Sequence, residues 1–184
     1  MNFNNLFKLS FMAATLGLAS CGNTNTQNAT TDTLQHVHDS ANHEQEAENN
    51  ISFANENIGK VYTSYISLTS ALVASDNDMA KKAATDLGLA LNQVNENEIG
   101  AQVKLIEDAG DLEAKRNLLD KLSHLLVNYF TANKPETGVI YEQNCPMANN
   151  NAGGSWLSSS KKVQNPYYGD SMLTCGSNVA EIKL

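Results

Sequence analysis

Cysteine and methionine cluster in two places near the end of the chain, as Cys145-Pro146-Met147 and as Met172-Leu173-Thr174-Cys175. Thiolate and thioether sulfur are soft donors that select Cu(I) or Ag(I) over harder ions. A Cys-x-Met pair and a Met-x-x-Cys pair brought together would offer an all-sulfur site made of Cys145, Met147, Met172 and Cys175. Pro146 fixes the backbone between the first two donors and removes an N–H. The same residues admit a second reading, a structural Cys145–Cys175 disulfide with both methionines as packing. Both readings stay open on the residues alone. His36, His38 and His43 form a second group that could collect Cu(II) or Zn(II) as an auxiliary metal site, or could be solvated residues of a polar segment. His124, between Leu122 and Leu125, reads as a structural residue at a helix edge, and Trp156 reads as packing. The acids Asp76, Asp78, Glu96, Glu98, Glu107, Asp108 and Asp111 gather near expected helix ends, where capping and solubility account for them.

Enzymatic chemistry finds little support. The chain has no GxGxxG, phosphate loop, GxSxG or HExxH. A cysteine nucleophile needs a base, and His124 is the one histidine outside the polar segment. A dithiol oxidoreductase would place its cysteines in CxxC, whereas these lie thirty positions apart. The expectation is a non-enzyme. A net charge of −8 over 184 residues argues against nucleic acid, because phosphate contacts need clustered Lys and Arg.

The elements that must position these residues come after a distinct start. Residues 1–20 carry one charge, Lys8, and an apolar stretch from Leu9 to Ala19, the pattern of a secretory signal. The stretch ends Leu18-Ala19-Ser20-Cys21-Gly22, which looks like a lipobox. Residues 1–20 are therefore expected to be a lipoprotein signal peptide, and Cys21 the lipidated residue that holds the protein to a membrane. Loss of Lys8 would take the charge from −8 to −9. Residues 21–50 are rich in Asn, Thr, Gln and Glu and carry the three histidines, so they read as a disordered tether. With Cys21 lipidated, Cys145 and Cys175 remain as an even pair in an exported protein.

From residue 51 apolar residues recur at steps of three and four, which places each set on one helix face. The stripes are Ile58, Val61, Tyr62, Tyr65, Leu68 and Leu72; then Met79, Ala83, Leu87, Ala90, Leu91 and Val94; then Ile99, Val103 and Ile106; then Leu112, Leu119, Leu122, Leu125, Leu126, Tyr129 and Phe130. Ser75 to Asp78, Asn95 to Asn97 and Ala109 to Asp111 separate them as breaks and caps. Short connections favour antiparallel neighbours, so the expected fold is mainly α, an up-and-down four-helix bundle. A loop-rich C-terminal segment with short strands follows, beginning with a strand around Val139 to Tyr141. Residues 51–176 form the domain on this reading, and 177–184 a tail.

The run Val139 to Asn150, with Trp156-Leu157-Ser158, Asn165-Pro166-Tyr167-Tyr168-Gly169 and Met172-Leu173-Thr174-Cys175-Gly176, resembles a bacterial domain of unknown function. That domain occurs alone in exported lipoproteins and fused to periplasmic adaptors of Cus-type copper/silver efflux systems. Tyr65, Leu68 and Ala71 to Asp76 share the likeness, which spans about residues 55–176. Tyr168 departs from it, standing where Phe is common. The resemblance implies heavy-metal handling in the cell envelope, with Cys145, Met147, Met172 and Cys175 matching the motif's sulfur residues. It implies a membrane-anchored, periplasm-facing protein that binds Cu(I) or Ag(I) for sequestration or hand-over to an efflux adaptor or pump. The alternative is a non-catalytic, disulfide-stapled interaction module of such a complex. The chain lacks the hairpin and barrel regions of an adaptor, so it is not expected to bridge a pump.

Overall fold

The computed structural model describes residues 49–184. The signal peptide at 1–20, Cys21, and His36, His38 and His43 lie outside the described residues. Four helices run in chain order: α1 (Glu56–Val73), α2 (Asn77–Gln93), α3 (Asn97–Asp108) and α4 (Leu112–Ala132). Three of them start at a side-chain cap, as a helix with unpaired N-terminal N–H groups requires. Asn55 accepts from the Asn57 N–H, Asp76 from Met79 at 2.9 Å, and Asp111 from Ala114 at 2.8 Å. Glu96 begins α3 without such a bond. Left-handed Ser75 and Asn95 turn the chain in the first two connections. Consecutive helices pack in order, which gives the mainly helical bundle expected from the stripes.

The stripes are the core. Val61, Tyr65, Leu68, Leu72, Leu87, Leu91, Ile106, Leu119, Leu122, Leu126 and Phe130 are fully or almost fully buried. Met79 differs: it is 55% exposed, because it stands in the first turn of α2 beyond the packed face. Phe53, Tyr62, Tyr129 and Phe130 stack in tilted and edge-on pairs with centroids 5.3–5.7 Å apart, near the α1 and α4 ends of the core.

A small antiparallel sheet of order β2-β1-β3 follows the helices: β1 (Ile140–Cys145), β2 (Gly154–Ser158) and β3 (Ser177–Ile182). The expected strand at 139–141 is thus longer and runs to Cys145. Ser177–Ile182, placed in a tail by the sequence, is a strand paired to β1. The chain from Asn49 onward also belongs to the fold, which takes in the last two residues of the expected tether. Asn49 donates to the carbonyls of Val139 and Ser159 and accepts from the Val139 N–H. No helix among the described residues is long and apolar enough to cross a membrane.

β2 docks the sheet onto the bundle. Trp156 and Leu157 enter the core, and three polar groups fix the strand. Ser155 N–H donates to Asp120 Oδ1 at 2.8 Å and Leu157 N–H donates to Tyr65 Oη at 3.1 Å. Tyr167 Oη donates to the Ser155 carbonyl at 2.7 Å. Gly154 is required at the strand start, since a Cβ there would lie 2.5 Å from the Tyr167 ring and 2.8 Å from Ala148. Arg116 joins the first helix connection to the C-terminal loop, donating to the carbonyls of Leu72 and Pro166 and to Ser75 Oγ.

Candidate functional site

β1 carries Cys145 into the interior as its last residue, opposite Gly154 of β2. Its burial alternates with the pleat, so Cys145 is fully buried while Asn144 is half-buried. On the other side of β1, Asn144 pairs with Ser177 of β3. The residues just before β3 must therefore pass close to Cys145. Gly176 makes the approach: its φ is +136°, and a Cβ there would meet the Asn144 carbonyl at 2.8 Å and the Trp156 ring at 2.9 Å. Only glycine tolerates both the conformation and the contact.

Cys175 sits at that crossing, half-buried, with its thiol beside that of Cys145. Both are free thiols. The neighbouring Cys145 thiol, then burial, push the Cys175 thiol above its ordinary range, so its proton is held at neutral pH. The pairing of residues thirty positions apart is the main feature of the site.

Asn165 holds the loop that delivers Cys175. It is fully buried, and its Nδ2 donates to the Cys175 carbonyl at 2.8 Å. Its Oδ1 accepts from the Tyr167 N–H at 2.8 Å, and its own N–H donates to the Leu173 carbonyl at 2.8 Å. One side chain thus ties residues 165–175 into a closed turn, and its amide satisfies backbone groups that would otherwise be buried unpaired.

The two methionines flank the thiols along the chain. The Cys175 N–H closes a turn onto the Met172 carbonyl at 3.0 Å, which keeps Met172 within one turn of the pair. Met147 follows Cys145 by two residues, and its carbonyl accepts from Tyr168 Oη at 2.6 Å. Met147 is 45% exposed, so its thioether has access to solvent. Between Met147 and Gly153 the chain makes one short turn, α5 (Ala148–Asn151), in which Asn149, Asn150 and Asn151 all have positive φ.

The other candidates separate from this site. His124 is an exposed residue of α4 whose Nδ1 lies 2.9 Å from the Asp120 carbonyl. Trp156 is core and packs edge-on against Tyr167 with centroids 6.0 Å apart. Asp76 and Asp111 are the caps described above, and Glu107 and Asp108 pair with Lys104 on the surface of α3. Among the described residues no three His, Cys, Asp or Glu side chains are grouped to hold a metal. Asp120, Asn165 and Arg116 position the site and were not legible as such in sequence. Each meets backbone groups far along the chain, and single polar residues leave no periodic signal.

Residues 61–138 match the family model described as a protein of unknown function (DUF3347). The matched stretch begins inside α1 and stops before β1, so Cys145, Met147, Met172 and Cys175 all lie outside it. The helical part therefore carries the match, rather than the C-terminal motif on which the sequence resemblance leaned. No curated protein and no solved structure matches the chain.

Proposed function

We propose that this chain is a lipid-anchored protein of the cell envelope that binds Cu(I) or Ag(I) through Cys145 and Cys175 and holds the ion or passes it to an efflux partner. The observation that carries the reading is the adjacency of two free thiols, one buried and one half-exposed, at the crossing of β1 with the loop before β3. Two thiolates suit a soft monovalent ion, and the neighbouring methionines Met172 and Met147 supply thioethers to complete the shell. Binding displaces the thiol protons, as metal coordination by cysteine requires. His36, His38 and His43 serve as auxiliary collectors on this reading, and Cys21 carries the lipid.

The same adjacency favours a second reading, a Cys145–Cys175 disulfide that staples a non-catalytic interaction module. Alkylation of the full chain, purified from an exporting host under non-reducing conditions, separates the two. Mass spectrometry then counts the blocked thiols. The metal reading predicts that both cysteines alkylate slowly in the apo form and are protected by one equivalent of Cu(I). Recovery of a quantitative disulfide that resists mild reduction would replace it with the stapled module.

A further inference from the structure

A second place in the fold, lined by neither cysteine nor methionine, has the size and polarity of a ligand site. A cavity of about 300 Å³ opens between the start of α4 and the Asn149–Asn150 turn, with the rings of Tyr167 and Tyr168 on its wall. That volume is at the lower end of what small-molecule sites use.

Arg116 enters it with an orientation already fixed. Nε donates to the Pro166 carbonyl at 2.8 Å, and Nη2 donates to the Leu72 carbonyl at 2.8 Å and to Ser75 Oγ at 2.9 Å. All three acceptors are neutral. Nη1 has no protein partner among the described residues, and no carboxylate pairs with the guanidinium. Burial weakens its hold on the proton with no acidic neighbour to offset it. A half-buried cation without a counter-charge is a poor structural choice and a good anion receptor. Glu113 lines the same cavity one helical step away, and it too forms no ion pair with Arg116. Residues three apart on a helix are near enough to pair, yet these two charges do not.

The opposite wall is a turn of asparagines in the left-handed region. Asn149 and Asn150 have φ of 51° and 57°, a conformation that costs a non-glycine residue stability and that asparagine tolerates best. Asn149 Nδ2 is spent on the Gly153 carbonyl at 2.8 Å, which holds the turn. The side-chain amides of Asn150 and of Asn117, across the cavity, have no protein partner among the described residues.

We infer that this cavity binds a small zwitterion, a free α-amino acid, with its carboxylate on Arg116 Nη1, its ammonium on Glu113 and its polar atoms on the Asn117 and Asn150 amides. The net charge of −8 supports a zwitterion over a simple anion, which the field of the whole chain would repel.

The test is an NMR titration of the ¹⁵N-labelled full chain with L-alanine as probe, against acetate and methylammonium, which each carry one of its two charges. The expected result is a saturable shift of the Asn117 and Asn150 side-chain amides, with L-alanine binding at least about tenfold tighter than acetate. Glu113→Gln should bring L-alanine down to the level of acetate. Asn117→Ala and Asn150→Gly, the latter keeping the positive φ, should each weaken binding several-fold without relying on Arg116, whose loss would also disturb α1. The Cys145→Ser/Cys175→Ser variant should bind L-alanine unchanged, so failure of the metal reading leaves this one standing. No saturable shift, equal affinity for L-alanine and acetate, or unaltered binding in both asparagine variants would overturn it.

Discussion

Cys145 and Cys175 differ in what surrounds them, and that difference sets their chemistry. Cys145 is enclosed by the sheet and core, whereas Cys175 is reachable from solvent but has the Cys145 thiol beside it. Cys175 should therefore react with iodoacetamide more slowly at pH 8 than a free cysteine does, and Cys145→Ala should speed it by removing the neighbour that raises its thiol. Equal rates in the two proteins would contradict that pairing. Tyr65 is the other residue on which much depends. Ser123 Oγ donates to the Leu119 carbonyl, so the shared proton between Tyr65 and Ser123 belongs to the tyrosine, whose oxygen then accepts from Leu157 N–H. Tyr65→Phe leaves that buried N–H unpaired and should cost about 1–3 kcal/mol in denaturant unfolding. Burial, opposed by these hydrogen bonds, raises the Tyr65 hydroxyl from 10.0 to about 12. A group raised in the folded state stabilises below its unfolded value, so that contribution is complete under pH 10 and is lost as pH rises through about 12. Circular dichroism across that window should show alkaline loss of stability, shallower in Tyr65→Phe, and a flat response to pH 12 would contradict the assignment.

At the scale of elements, the helices were legible because burial along them repeats every three to four residues, and the stripes named from sequence, Met79 apart, lie on the packed face. Asp76 and Asp111 announced their helix starts in the same way, as side-chain oxygens ahead of an apolar run. The sheet was less legible. β3 reads Ser-Asn-Val-Ala-Glu-Ile with all but its last residue exposed, so it lacks the alternation that marks a half-buried strand. β1 was recognised only at its start because Glu142 and Asn144 interrupt its apolar residues. The sulfur residues were found by type, yet their meeting depends on the β1–β3 register and on the close approach of Gly176, neither of which has a local signature. Gly176→Ala should therefore separate the thiols. The predicted readout is independent, rapid alkylation of Cys175 while helical content is kept. Asn165→Ala should act in the same direction by freeing the Cys175 carbonyl and the Tyr167 N–H, at about 1–3 kcal/mol. Unchanged thiol reactivity in both variants would mean that the loop is held by other contacts.

At the scale of the whole molecule, the proposed function requires a lipid on Cys21 to hold the protein at a membrane. Cys21→Ser should release the protein from membranes into the soluble fraction on cell fractionation, and persistent membrane association would contradict lipidation at that residue. The central claim is metal binding by the thiol pair. It is tested most directly by an anaerobic Cu(I) competition titration of the reduced full chain against a chromogenic chelator, with the Cys145→Ser/Cys175→Ser variant in parallel. The full chain retains His36, His38 and His43, so the variant shows what they contribute without the thiols. The account predicts one tight Cu(I) per chain, lost in the double variant and weakened in Met172→Ala. Equal Cu(I) uptake by the wild-type chain and the double variant would contradict it and make the two cysteines structural.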